Sequence, residues 1–171
     1  MKIFFTSNLL LSKESMLESR GFTNVEEMNE AIITNWNFKV SPDDIVYHLG
    51  NFAWDPLVAE MALSRLNGSI NFMAGDWDKA LYEVIERFSE HQLLSDQIFY
   101  IDSFDIALSY WPLLDWPGRS QGVTHIFGGD KYKTSVNKEE VKINVNCDNW
   151  DLSPVELESI RGLIDMFVNE K

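Results

Sequence analysis

The chain is poor in the residues that thiol chemistry, phosphate binding and membrane insertion require. One cysteine, Cys147, stands among 171 residues, which excludes an intrachain disulfide and a zinc cage built on thiolates. Histidine is scarce as well, with only His48, His91 and His125. Fourteen lysines and arginines face 27 aspartates and glutamates, and 14 − 27 gives a formal charge of −13. A grip on a phosphate backbone needs a basic stripe and none is present, so direct nucleic-acid binding is not expected. Nor is the acid confined to a tail: residues 1–85 carry 6 basic and 12 acidic side chains, and residues 86–171 carry 8 and 15. No window approaches the roughly 20 apolar residues of a membrane span. The opening MKIFFTSNLLLSKES is broken by Thr6, Ser7 and Asn8 before it reaches signal-peptide form. These absences predict a cytoplasmic protein with no membrane partner. Repeats, low-complexity tracts and linkers are also missing, so the 45% apolar content predicts a single domain over residues 1–171.

What is present reads as alternating strands and helices, then mostly strands. Lys2 to Thr6 is a continuous apolar run, as in a strand buried on both faces. Thr23 and Glu26 have capping-box spacing ahead of a helix with Met28, Ile32 and Trp36 on one face. The turn 41–44 precedes a second buried strand, Ile45 to Leu49, which ends at Gly50 and Asn51. Asp55 and Pro56 open a helix with Leu57, Met61 and Leu66 inward, and Asn67 and Gly68 close it. A third strand, Ile70 to Ala74, runs into Gly75-Asp76-Trp77-Asp78, where Asp78 is positioned to cap the helix carrying Leu81, Ile85 and Phe88. Strands are then expected at Gln97 to Ile101, Phe104 to Ser109, Val123 to Phe127 and Val141 to Cys147. Ser153, Pro154 and Glu156 open a last helix whose inward face is Leu157, Ile160, Ile164 and Phe167. This order predicts a layered α/β fold or a two-sheet sandwich flanked by helices. The loops at Ser7-Asn8, Gly50-Asn51, Gly75 to Asp78 and Ser109-Tyr110 should then meet in one crevice at the carboxyl ends of strands.

The segments MKIFFTS (1–7), SPDDIVYHLGNFA (41–53), RLNG (65–68), LSYWPL (108–113) and WDLSPV (150–155) occur in an order that resembles the calcineurin-like metallophosphoesterase family. The likeness is to its small single-domain bacterial and phage members and covers nearly the whole chain. The resemblance implies a four-layer α/β/β/α sandwich. It also implies where that family's two-metal site would stand. The first motif's aspartate and histidine fall at Asn8 and Leu10, and the bridging aspartate falls at Asn51. The ligand asparagine and catalytic histidine fall at Asp76 and Trp77, the next histidine at Tyr110, and the last two at Gly129 and Lys131. Every one of these positions is substituted.

A two-metal phosphoesterase needs cations to activate hydroxide and to hold the phosphoryl oxygens, and such cations need anionic oxygen or imidazole nitrogen. Asn8 and Asn51 lack the charge, Leu10 and Gly129 lack the donor, and Lys131 carries the wrong sign. The expectation is no cofactor and no catalytic residue; the alternative is a single weakly held Mn, Mg or Zn ion near Asp76, Asp78 and Asp130. Lys131 could pair with Asp76 or Asp130 in place of metal charge. Trp77, Tyr110 and Trp111 either fill the crevice or face a partner. A Ser/His system drawn from Ser7 or Ser109 with His48 lacks a nucleophile elbow, and no P-loop or dinucleotide fingerprint occurs.

The segment 110–118 contains two Trp-Pro pairs, which stiffen it. Trp111, Leu114, Trp116 and Arg119 are interface candidates if exposed; otherwise the loop folds over the crevice rim and buries its tryptophans. The leading functional expectation is a catalytically inactive, metallophosphoesterase-like protein that binds another protein, in the manner of a phage accessory or host-directed inhibitor. The alternatives are a divergent metal-dependent phosphodiesterase or phosphatase, and an acidic mimic of nucleic acid.

Overall fold

The computed structural model describes residues 1–129, 133–136 and 140–169. In chain order the elements are β1 (Ile3–Thr6), α1 (Leu17–Arg20), α2 (Val25–Lys39), β2 (Ile45–Leu49), α3 (Pro56–Leu63), β3 (Ser69–Met73), α4 (Lys79–Val84) and β4 (Gln92–Leu93). There follow β5 (Ile98–Ile101), β6 (Ile106–Ser109), β7 (Thr124–Phe127), β8 (Ser135–Val136), β9 (Val141–Asn144), β10 (Val155–Glu156) and α5 (Leu157–Asn169). Two mixed sheets, ordered β10-β1-β2-β3-β4 and β5-β6-β7-β9-β8, carry this chain. In the first, β1 to β4 are parallel and β10 is antiparallel. In the second, β6, β7 and β9 are parallel, with β5 and β8 antiparallel at the edges.

The continuous apolar runs of β1 to β3 serve two cores. One face presents Phe4, Val46, Ile70 and Phe72 to a cluster with Met28, Ile32 and Trp36 of α2 and Ala59 and Ala62 of α3. The other presents Phe5, Leu49 and Met73 to Leu108, Ile126 and Ile143 of the second sheet. That inter-sheet core extends to Leu157 and Ile160 of α5, which packs against β1, β8 and β10. The outer face of the second sheet is covered by Trp116, packed with Ala107 and Val123, in place of a described α-helix. No described helix is long and apolar enough to cross a membrane.

Local details differ from the sequence pattern where a neighbour decides. Asn24, one residue after Thr23, caps α2: its Oδ1 accepts from the Glu27 amide at 2.8 Å. Thr23 Oγ1 instead bonds the Glu27 carboxylate at 3.0 Å. In α3 the inward residues are Ala59, Ala62 and Leu63, spaced for one helix face, and this leaves Leu57 77% exposed. Val155 and Glu156 do not start the last helix; they add an edge strand to β1 before α5 begins at Leu157. At the far end α5 outruns its core, and Phe167 is 59% exposed.

Candidate functional site

The parallel strands end together, and the loops leaving β1, β2, β3, β6 and β7 meet there. The Asn8 amide donates to the Gly50 carbonyl at 2.8 Å and the Leu10 amide to the Asn51 carbonyl at 3.0 Å. These loops need left-handed backbone: φ is 54° at Asn8, 48° at Leu10 and 63° at Asn51. Asparagine takes this region readily, whereas Leu10 holds a conformation that costs of order 1–3 kcal/mol for a side chain of its kind. Two glycines permit the approach of the loops. A Cβ on Gly75 would stand 2.6 Å from Asn51 Oδ1, and one on Gly128 would collide with the Leu49 carbonyl.

Inside the crevice Asn8, Asn51 and Tyr110 form a buried relay. The Trp77 amide donates to Asn51 Oδ1 at 3.1 Å, and Asn51 Nδ2 donates to Asn8 Oδ1 at 2.7 Å and to the Tyr110 hydroxyl at 2.8 Å. Asn8 Nδ2 then donates to the Gly128 carbonyl. A backbone N–H begins the chain and a backbone C=O ends it, so each side chain must accept at one atom and donate at another. An amide meets that demand and a carboxylate does not. Asn51→Asp is therefore expected to lower unfolding stability by about 1–3 kcal/mol, because the buried Asn8 Oδ1 loses its donor and faces a carboxylate oxygen instead. Urea unfolding at neutral pH measures this, and an unchanged midpoint would remove the relay from the account.

Asp78 holds the same loops from the other side. Its carboxylate accepts from the Asn51 and Phe52 amides, both at 2.7 Å, and from the Gly75 amide at 2.6 Å. Burial raises its pKa, and the three N–H donors oppose that rise. It makes no side-chain capping bond to α4, the role its sequence position suggested, and three of its acceptor sites are taken by backbone N–H groups. Asp76, two residues earlier, is exposed. Among the described residues no group of three or more His, Cys, Asp or Glu side chains is arranged to hold a metal. Asp130 and Lys131, and with them the suggested Lys131 ion pair, lie outside the described residues.

The aromatic candidates divide. Tyr110, 9% exposed, fills the crevice, its ring lying where a Gly50 Cβ would be. Trp77 is 44% exposed, with its ring edge-on to Trp54 and Lys13 Nζ 3.2 Å above it. Trp111 and Leu114 are exposed, whereas Trp116 is 4% exposed and donates to the Val123 carbonyl at 2.9 Å. Trp116 thus belongs to the packing of the second sheet and not to an open interface. Arg119 is drawn inward with it, lying 5.3 Å from the Trp116 ring and pairing with Glu140 at 3.1 Å. Gly129 is buried, and its carbonyl accepts from Asn144 Nδ2 at 2.7 Å. Leu10 is buried with no donor atom to offer a cation.

Two features have no sequence signature. Ser109 Oγ lies 2.8 Å from His125 Nε2, not near His48, and donates its own proton to the Trp111 carbonyl. With that proton committed, His125 Nε2–H is the donor, and Nδ1 has no partner among the described residues. The pair therefore lacks both the base and the orienting carboxylate of a nucleophile system. Arg20 is the second feature: its side chain is 2% exposed, donates to the Asn8 and Leu9 carbonyls at 2.7 Å each, and pairs with Asp148 at 2.7 Å.

No family model matches the chain. The Methanocaldococcus jannaschii protein described as "Uncharacterized protein MJ1445" is 32% identical over 172 residues, 96% of this chain and 92% of that protein. A crystal structure described as "Protein of Unknown Function AQ665 from Aquifex aeolicus" is similar in fold, with a TM-score of 0.68 and 21% identity, over 95% of this chain and 99% of that one.

Proposed function

This chain belongs to the family of the MJ1445 protein, and we propose that it is a non-hydrolytic protein of the calcineurin-like metallophosphoesterase type that acts by binding a protein partner. The observation that carries the reading is the relay through Asn51 and Asn8 to the Gly128 carbonyl. The positions that would hold bridging cations are occupied by amides whose donor hydrogens are already used. A cation placed there would face the N–H groups of two neutral amides and would compete with the hydrogen bonds that their oxygens already accept. The partner is a protein because exposed Trp54, Trp77, Trp111 and Leu114 supply large apolar contacts, while the charge of −13 repels nucleic acid.

Metal analysis after purification without chelator, combined with turnover of bis-p-nitrophenyl phosphate in added manganese, tests this. The expected result is substoichiometric metal and no turnover above buffer. Stoichiometric metal, with activity lost in Asp76→Ala, would replace the reading with a divergent single-metal phosphodiesterase. Capture of a partner that duplex DNA displaces and salt abolishes would favour nucleic-acid mimicry instead.

A further inference from the structure

Beside the buried relay, between the end of β3 and the start of β5, lies an open cleft of about 520 Å³. Its lining joins three aromatic side chains, Tyr82, Tyr110 and Trp111, to two carboxylates, Asp76 and Asp96. No lysine, arginine or histidine among the described residues lines it. Asp76 and Asp96 are exposed, and neither is paired with a described cation. Tyr82 and Trp111 are 53% and 43% exposed, so their rings are open to contact, and Trp111 is braced edge-on against Tyr110 at 4.8 Å.

We propose that this cleft binds an organic cation, a guanidinium or primary ammonium group, presented as the arginine or lysine side chain of a basic protein segment. The electron-rich ring faces attract a cation, and the carboxylates supply its counter-charge; together they exclude phosphate and carboxylate ligands. The volume lies within the range of a side-chain or small-ligand pocket. The whole chain, at −13, steers a basic partner toward it. This assignment rests on the binding role proposed above and names the chemistry of the partner's anchor.

The test is calorimetric titration of the full chain with a tetra-arginine peptide, its citrulline counterpart, and spermidine. The Asp76→Asn/Asp96→Asn double variant, the Trp111→Ala variant, and a charge-matched control, Glu18→Gln/Glu26→Gln, are titrated in parallel. The arginine peptide should bind the parent and the control alike. Binding should fall about tenfold or more in the cleft variants, and the citrulline peptide should not bind. Equal loss in the control, or equal binding of the citrulline peptide, overturns the proposal. Binding of spermidine without the peptide overturns its protein source. Phosphodiester turnover assayed on the same samples separates the two claims: absent binding with absent turnover sinks the cleft alone, whereas turnover sinks the non-hydrolytic reading.

Discussion

Replacing Asp78 by alanine should lower the free energy of unfolding by about 3–6 kcal/mol, a large share of the 5–15 kcal/mol typical of a single domain. Three backbone N–H groups, from Asn51, Phe52 and Gly75, converge on this carboxylate, and removal leaves all three without an acceptor. The residue is 1% exposed, so the three donors have no direct access to bulk solvent. Asp78→Asn should lose less, because the amide oxygen still accepts, although its NH2 group faces at least one N–H. Asp76→Ala is the internal control: this exposed carboxylate should change stability by no more than about 0.5 kcal/mol. Urea midpoints for the three variants provide the comparison. Equal effects at positions 76 and 78 would mean that the carboxylate does not organise the crevice.

Asp78 also marks how far the sequence could be read. An aspartate just ahead of a helical pattern has a local meaning, the N-cap, and that meaning was available from neighbouring residues. Two of its three observed partners lie 26 and 27 residues away along the chain, just past the end of β2, where no local pattern points. Arg20 is hidden for the same reason: it joins a one-turn helix to Asp148, 128 residues on. By contrast, the strands that frame the crevice were legible as apolar runs, because burial on both faces of a parallel sheet demands such runs. So was the meeting of loops 7–8, 50–51, 75–78 and 109–110.

The two Trp-Pro pairs show where local chemistry stops deciding. Trp111 and Trp116 have the same neighbour and the same stiffness. Trp116 is buried because it crosses Ala107 and Val123, where a small residue leaves room on the sheet for an indole. Trp111 stands at the strand end, against Tyr110, and stays half open. The same residue type is therefore packing at one position and a candidate contact at the other. The sheet beneath makes that choice, through a register that the loop sequence does not contain.

Acid should destabilise the protein from about pH 6.5 downward, with His48 contributing beside His125 and His91, whose pKa burial also lowers. Burial among Phe52 and Phe72 holds the His48 imidazole down to about 3. Burial and the nearby Lys142 hold His125 down to about 4, with Glu140 opposing. Both folded values lie below the ordinary value of 6.5, so between those limits the unfolded chain takes up protons that the native state refuses. Stability then rises with pH, by about 1.4 kcal/mol per pH unit for each group. The contribution is complete above pH 6.5 and is lost progressively as pH falls toward the folded values. Asp44, Glu30 and Glu140, whose folded pKa values are lowered, add further loss only below the ordinary carboxylate range. Asp78, raised, works the other way. Between pH 6.5 and about 5 the three histidines supply the loss, and Asp78 opposes it. Neither ring nitrogen of His48 has a described partner, nor does the hydroxyl of Thr6, opposite it in register. His48→Phe or His48→Leu should consequently gain about 1–3 kcal/mol at pH 7 and flatten the slope between pH 6 and 5 by up to about 1.4 kcal/mol per pH unit. Urea midpoints at pH 7, 6 and 5 for parent and variants decide the matter. Parallel pH profiles would show that His48 is satisfied in solution by a group outside this account and titrates normally.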